Sequence, residues 1–223
     1  MKISVVIPAY NEENVISKCL EAIAAQTVMP DEVIVVDNNS KDKTSLIAAS
    51  FPFVKVVTET EQGMIPARNR GVAEATGDIV VRCDADTIAY SGWIEIIKND
   101  FENEKIDAMS GPADYYDLPI KPFFTFLQTL IFFRTWRFFK HSEIMFGSNM
   151  AFTKNIWGEI LPHLAKHDPE MHEDMDIAIN INRVGGKIKH EPKMKVSISA
   201  RRFTSQWYSL PDYLRRYFKA FFV

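Results

Sequence analysis

Apolar residues fall first in short unbroken runs and then at helical spacing, and the two patterns alternate over the first hundred residues. Ile3 to Pro8 is an apolar run of the kind that forms a strand buried on both faces. Glu12 to Gln26 follows with Val15, Ile16, Cys19, Leu20 and Ile23 on one helical face. Asn11 is placed to cap that helix, and Glu12 and Glu13 suit the positive end of its dipole. Val33 to Val36 and Phe53 to Val57 predict a second and a third strand. Pro66 can open a helix that runs to Thr76 and stops at Gly77. Ile79 to Val81 predicts a fourth strand, and Ser91 can cap a helix carrying Trp93, Ile94 and Ile97. Strand and helix in this alternation predict an α/β fold, a mostly parallel sheet flanked by helices. Such sheets bind ligands outside the carboxyl ends of their strands. Tyr10-Asn11-Glu12, Asp37 and Asp84-Ala85-Asp86 all fall at such ends, so one crevice can gather them.

Regularity falls after Ile106. Lys121 to Lys140 is apolar and aromatic, and its longest uncharged run, Pro122 to Phe133, has 12 residues, too short for a span of ~20. Ile144 to Phe152 predicts a strand. His172 to Val184 predicts a helix closed by Gly185-Gly186, and Val196 to Ser199 a last short strand. Leu210 to Val223 is amphipathic, with Arg215, Arg216 and Lys219 interrupting aromatic and aliphatic positions.

Composition narrows the classes. The 223 residues are 47% hydrophobic and 25% charged, enough for a sizeable core. A net charge of −3 argues against a dedicated nucleic-acid binder. The balance is uneven, because Lys187 to Lys219 holds nine Lys or Arg against Glu191 and Asp212. A basic end suggests an anionic neighbour, such as a phosphate or a membrane face. Cys19 and Cys83 lack metal-type spacing and are expected to be buried thiols in a reducing compartment. Met1 to Ser4 leads straight into an apolar strand without the pattern of a signal peptide, so a cytoplasmic location is expected.

Several segments carry candidate chemistry. Asp84 and Asp86 end a buried strand two residues apart, where both carboxylates can converge on a hard cation such as Mg²⁺ or Mn²⁺. The same spacing also suits a turn with capping aspartates, but the preceding apolar run favours the metal. Asp37 can accept hydrogen bonds from a ribose or a base, or simply shape its turn. Arg68 lies in the first turns of a helix, where phosphate is favoured. Glu173 and Asp174 point about 100° apart on a helix. Either can serve as a general base, or both can form an ordinary acidic first turn. Gly147-Ser148-Asn149 can line an acceptor pocket or begin a strand.

The ordered set resembles the family 2 glycosyltransferases, which have a GT-A fold. It comprises Ser4 to Glu13, Val33 to Ser40, Ala67-Arg68-Asn69 with Gly71, Thr76 to Ile79, Asp84-Ala85-Asp86, Gly147-Ser148-Asn149 and Glu173-Asp174. The resemblance implies a nucleotide-sugar-binding half over residues 1–110 and an acceptor-binding half over 111–223. It implies that Pro8, Tyr10, Glu12 and Asp37 surround the nucleotide and that Arg68 steadies that pocket or the diphosphate. Asp84 would lie near ribose and metal, Asp86 would hold the metal, and Asp174 would be the catalytic base, with Glu173 second. The implied reaction is a metal-dependent, inverting transfer of a sugar from a nucleotide diphosphate donor to a hydroxyl or phosphate. A UDP-sugar is the first expectation and a GDP-sugar the second. The metal would replace the general acid that hydrolases use.

The processive members carry Gln-x-x-Arg-Trp, whereas this chain has Ser199-Ala200-Arg201-Arg202-Phe203-Thr204-Ser205-Gln206-Trp207. The Arg201-Arg202 pair is similar to that of smaller, non-processive members, where it could approach the diphosphate or an acceptor phosphate. Ser148, Asn149, Arg201, Arg202 and Trp207 are thus candidates for contact with the acceptor or the diphosphate. Related enzymes often use lipid-linked acceptors. The aromatic, basic segment 121–140 suits peripheral contact with the inner membrane face, and equally a core helix with snorkelling basic ends. Two other readings remain: a sugar nucleotidyltransferase, against which Pro8-Ala9-Tyr10-Asn11 is not a Gly-rich loop, and a nucleotide-sugar-binding scaffold without turnover.

Overall fold

The computed structural model describes residues 1–118, 134–140, 142–165, 172–201, 215–217 and 219. The predicted alternation is present as β1 (Ile3–Ala9), α1 (Ile16–Ala24), β2 (Glu32–Asp37), α2 (Thr44–Ala49), β3 (Val54–Thr58), α3 (Met64–Glu74) and β4 (Ile79–Arg82). Then come β5 (Ile88–Ala89), α4 (Trp93–Asn103), β6 (Ala108–Ser110), β7 (Ala113–Tyr115) and α5 (Thr135–Lys140). The chain continues through β8 (Met150–Thr153), α6 (Lys154–Ile160), α7 (Glu173–Arg183), β9 (Ile188–His190) and β10 (Val196–Ile198).

The main sheet has the order β3-β2-β1-β4-β8-β6-β9. All neighbours are parallel except at β8, which runs antiparallel to β4 and β6. Period-two alternation explains why both faces are covered. Val5, Ile7, Val33 and Val35 face one apolar layer with residues of α1 and α4. Val6, Ile34, Val36 and Val80 face the other, with residues of α3, α6 and α7. Helix α3 approaches this second face closely at Gly71, where an added Cβ would lie 2.2 Å from Val6 Cγ1 and 3.0 Å from Val36 Cγ2. A branched side chain in a strand cannot swing away from such a contact. Gly71→Ala should therefore destabilise the protein by about 1–3 kcal/mol, read as a lower urea midpoint at unchanged m.

Local details depart from the sequence reading. Asn11 does not cap α1; it sits in the left-handed region at φ 55. Its side-chain oxygen accepts from Lys41 N at 2.7 Å and its own N–H donates to Ser40 Oγ at 3.0 Å, tying the turn after β1 to the turn after β2. An Asn tolerates that backbone and bonds locally, so the helix starts four residues later than Glu12. Ser91 does not cap α4, because Gly92 at φ 85 takes that position. Helix α3 begins at Met64, ahead of Pro66, and ends at Glu74, short of Thr76. The strand expected over Ile144 to Phe152 is confined to β8, because Gly147 and Ser148 form a turn between Phe146 and Asn149. Gly185, at φ 82, closes α7 as expected. Cys19 and Cys83 are both buried and free.

A small sheet, β5-β10-β7, sits beside the main one. It places the chain leaving β10 near the turn that follows β4. Among the described residues no helix is long and apolar enough to cross a membrane. Most of segments 121–140 and 210–223 lies outside the described residues, as do Arg202 and Trp207.

Candidate active site

Strand directions bring the candidates to one edge. Ala9 pairs with Asp37 and Val6 with Arg82, so β1, β2 and β4 finish on the same side. Antiparallel β8 starts there, because Met150 pairs with Arg82. Helix α7 also begins there, since its far end turns through Gly185-Gly186 into β9, which runs with the parallel strands. Pro8, Tyr10, Glu12, Asp37, Asp84, Asp86, Ser148 and the Glu173-Asp174 pair therefore share one edge of the sheet.

Two consecutive residues of the turn before β8 join the acids. Gly147 N–H donates to Asp174 Oδ2 at 2.9 Å, and Ser148 Oγ donates to Asp84 Oδ2 at 2.7 Å. Asp174 Oδ1 accepts from Met175 N at 2.9 Å, inside the first turn of α7. Asn149 plays a different part. It is fully buried, accepts from Trp93 Nε1 at 2.9 Å, and donates to the carbonyls of Met194 at 2.7 Å and Pro112 at 3.2 Å. It joins the main sheet to the small one.

Beneath these acids lies a buried ionic cluster. Alternation along β4 puts Arg82 on the same face as Val80, towards α3 and α7. Arg82 is 2% exposed, and its Nη2 lies 2.7 Å from Glu173 Oε1 and 3.2 Å from Asp84 Oδ1. Arg68, from α3, is 1% exposed and reaches Glu173 Oε2 at 3.1 Å. Its remaining donors bond Asn69 Oδ1, and its guanidinium lies 5.2 Å from the centre of the Trp157 ring. Burial lowers the proton affinity of Arg68 and Glu173 partly restores it. Burial opposes the charge of Arg82 too, but Glu173, Asp84 and Asp174 outweigh it and raise its pKa. Removing one member of such a cluster strands a charge, a loss on the order of 3–5 kcal/mol.

The nucleotide side is more open. Tyr10 is 48% exposed, while Asp37 is buried and accepts from Ser40 N at 3.3 Å. Arg201, just past β10, bonds Glu12 Oε1 and places its Nε 3.5 Å from Asp86 Oδ2. The bond to Glu12 is the main reason that its pKa is raised. Glu12 Oε2 is buried without a hydrogen-bond partner among the described residues. A carboxylate pair holding a guanidinium, with a spare buried oxygen beside it, is an acidic pocket suited to a cation. Among the described residues no three His, Cys, Asp or Glu side chains gather to hold an ion unaided. A Mg²⁺- or Mn²⁺-type site with one or two carboxylates, completed by phosphate oxygens, matches that supply.

Sequence reasoning missed Arg82, and the signal was present: a charged residue continuing the apolar run Ile79-Val80-Val81. It also missed Trp157, whose apolar character gave no hint of its place under Arg68.

A family model described as Glycosyl transferase family 2 matches residues 4–157. Glycosyltransferase AglE of Haloferax volcanii is 33% identical over 120 residues, covering 51% of this chain and 40% of that protein. Probable glycosyltransferase YdaM of Bacillus subtilis is 29% identical over 209 residues, 86% of this chain and 49% of that protein. The chain thus spans less than half the length of these curated relatives. Among solved structures, mannosyltransferase PcManGT from Pyrobaculum calidifontis, in complex with GDP-Man and Mn²⁺, superposes with a TM-score of 0.72 at 24% identity, over 92% of this chain and 59% of that one. Glucosyl-3-phosphoglycerate synthase from Mycobacterium tuberculosis, in complex with Mn²⁺, UDP and phosphoglyceric acid, gives 0.72 at 19% identity, over 99% and 78%. The fold is that of the GT-A glycosyltransferases.

Proposed function

Because the chain belongs to glycosyl transferase family 2, we propose that it moves a sugar from a nucleoside diphosphate donor to an acceptor hydroxyl or phosphate, with inversion and with Mn²⁺ or Mg²⁺. The observation that carries this reading is the Gly147-Ser148 turn, which bonds Asp174 with one residue and Asp84 with the next. It holds a candidate proton acceptor beside a candidate phosphate-side acid at one edge of the sheet.

Residues 1–110 would hold the donor, with Pro8, Tyr10, Glu12 and Asp37 around base and ribose. Asp84 and Asp86 would hold the metal, which when bound offsets charge on the departing diphosphate. Arg201, already at this pocket, would follow the diphosphate. Residues 111–223 would receive the acceptor. As the acceptor oxygen bonds to the anomeric carbon, the bond from that carbon to the phosphate oxygen breaks and the acceptor proton passes to Asp174. Attack from the opposite side inverts the configuration. The solved relatives were captured with GDP-Man and with UDP, which keeps both bases in view; UDP stays first. A lipid-linked acceptor at the inner membrane face is supported by the basic and aromatic composition of segments 121–140 and 210–223.

A thermal-shift panel tests the donor site. UDP, GDP and their sugars are each added with Mn²⁺ and again with chelator. A nucleotide at 100 times its Kd should add about 2.7 kcal/mol of stability, and only with metal. No shift from any nucleotide would overturn the proposal. A shift without product formation, once acceptors have been screened, would favour a binding scaffold.

A further inference from the structure

We infer that Glu173 and Arg82 are positioning residues that link the donor acid Asp84 to Asp174, and that Glu173 is not a proton acceptor; this rests on the transfer reading above. Both carboxylate oxygens of Glu173 are engaged by guanidinium groups, Oε1 by Arg82 at 2.7 Å and Oε2 by Arg68 at 3.1 Å. A carboxylate with both oxygens committed to buried guanidinium donors is held as a structural partner and is not presented to an incoming hydroxyl. The same Nη2 of Arg82 that holds Glu173 lies 3.2 Å from Asp84 Oδ1. A continuous chain therefore runs Arg68, Glu173, Arg82, Asp84. Glu173 is also the first residue of α7, and Asp174 is the second.

Gly147 provides a second, independent link. A Cβ there would lie 2.8 Å from Arg82 Nη1 and 3.4 Å from Asp174 Oδ2. Arg82 is thus packed against the same residue whose N–H holds Asp174. Its Nε and Nη1 are buried with no hydrogen-bond partner among the described residues. An arginine serving only the fold would be expected to have its buried donors met. Here the three N–H donors of those two nitrogens lie unmet between the donor acids and the base. Loading Asp84 with a ligand changes what Arg82 Nη2 must satisfy, and Glu173 passes that change to the first turn of α7.

The test is a double-mutant cycle with Glu173→Gln and Arg82→Gln, read as kcat, donor KM, Tm and amide exchange of α7 with and without Mn²⁺ and the nucleoside diphosphate. Each single variant should lose about 10²-fold in kcat, as a misplaced catalytic group does, at nearly unchanged donor KM. The double variant should be no worse than the poorer single one. Arg82→Lys keeps the charge but not the fork, so it should recover Tm and not kcat. Nucleotide and metal should slow exchange in the first turn of α7 of the unaltered protein, and not in Arg82→Gln. Independent, additive losses would overturn the inference. So would a Tm loss without a kcat loss, or a Glu173→Gln defect as deep as that of Asp174→Asn. If the unaltered protein binds nucleotide and protects α7 but transfers nothing, the transfer reading fails and the coupling stands. Transfer without protection of α7 sinks the coupling alone, and no nucleotide binding at all sinks both.

Discussion

Asp174→Asn should cut kcat by about 10³–10⁴-fold while leaving donor binding and fold intact, the upper part of the range that a lost general base produces. The substitution is nearly isosteric. An asparagine oxygen can still accept the Gly147 N–H that now bonds Asp174 Oδ2 at 2.9 Å, so the tie to the Gly147 turn is kept, while the bond that Oδ1 takes from Met175 N is given up. What it loses is the ability to take the acceptor proton. Steady-state kinetics beside calorimetric titration of Mn²⁺ and the nucleoside diphosphate separate the two properties. Full turnover with weakened nucleotide binding would remove the base role from Asp174.

Asp86→Ala should have a comparable effect by another route: loss of metal-dependent donor binding, with kcat/KM down on the order of 10³-fold. Asp86 now faces Arg201 at 3.5 Å, and Arg201 also bonds Glu12. Removing Asp86 frees that cation from one acid and takes away half of the carboxylate pair. The fold should tolerate the change, because Asp86 lies in the turn after β4 and outside both apolar layers. Titrating Mn²⁺ into the nucleotide-loaded variant gives the direct reading. Retained metal affinity would move the cation elsewhere.

The parallel half of the fold was legible because burial on both faces writes an unmistakable pattern. Val5, Val6 and Ile7 are apolar in succession since alternate residues meet different helices. The acids at strand ends were legible for the opposite reason: Asp37, Asp84 and Asp86 interrupt apolar runs where a buried strand has no use for charge. Long-range pairing was not legible. Nothing local in Arg82 announces Glu173, which lies on a helix 91 residues later and meets it only through the sheet order. Asn149 looked like a pocket residue because Asn is polar, yet its amide is consumed by Trp93, Pro112 and Met194. Caps misled where two good candidates stood side by side. Gly92 can take the left-handed backbone that Ser91 cannot take cheaply, and backbone strain decided against hydroxyl bonding.

The antiparallel insertion of β8 has a consequence for how the chain is made. Its residues pair with both β4 and β6, so β4, already paired with β1 on one side, gains its second neighbour only once Thr153 has been synthesised. Strand β4 is complete at Arg82, about 70 residues earlier, and at about 5–20 residues/s a ribosome needs roughly 4–14 s to cover that distance. Throughout that interval the nascent chain carries an open, apolar strand edge, Ile79-Val80-Val81, of the kind that recruits other chains. Yield in the cell should thus depend on chaperone capacity and on elongation rate between β4 and β8, beside the final stability of the folded protein.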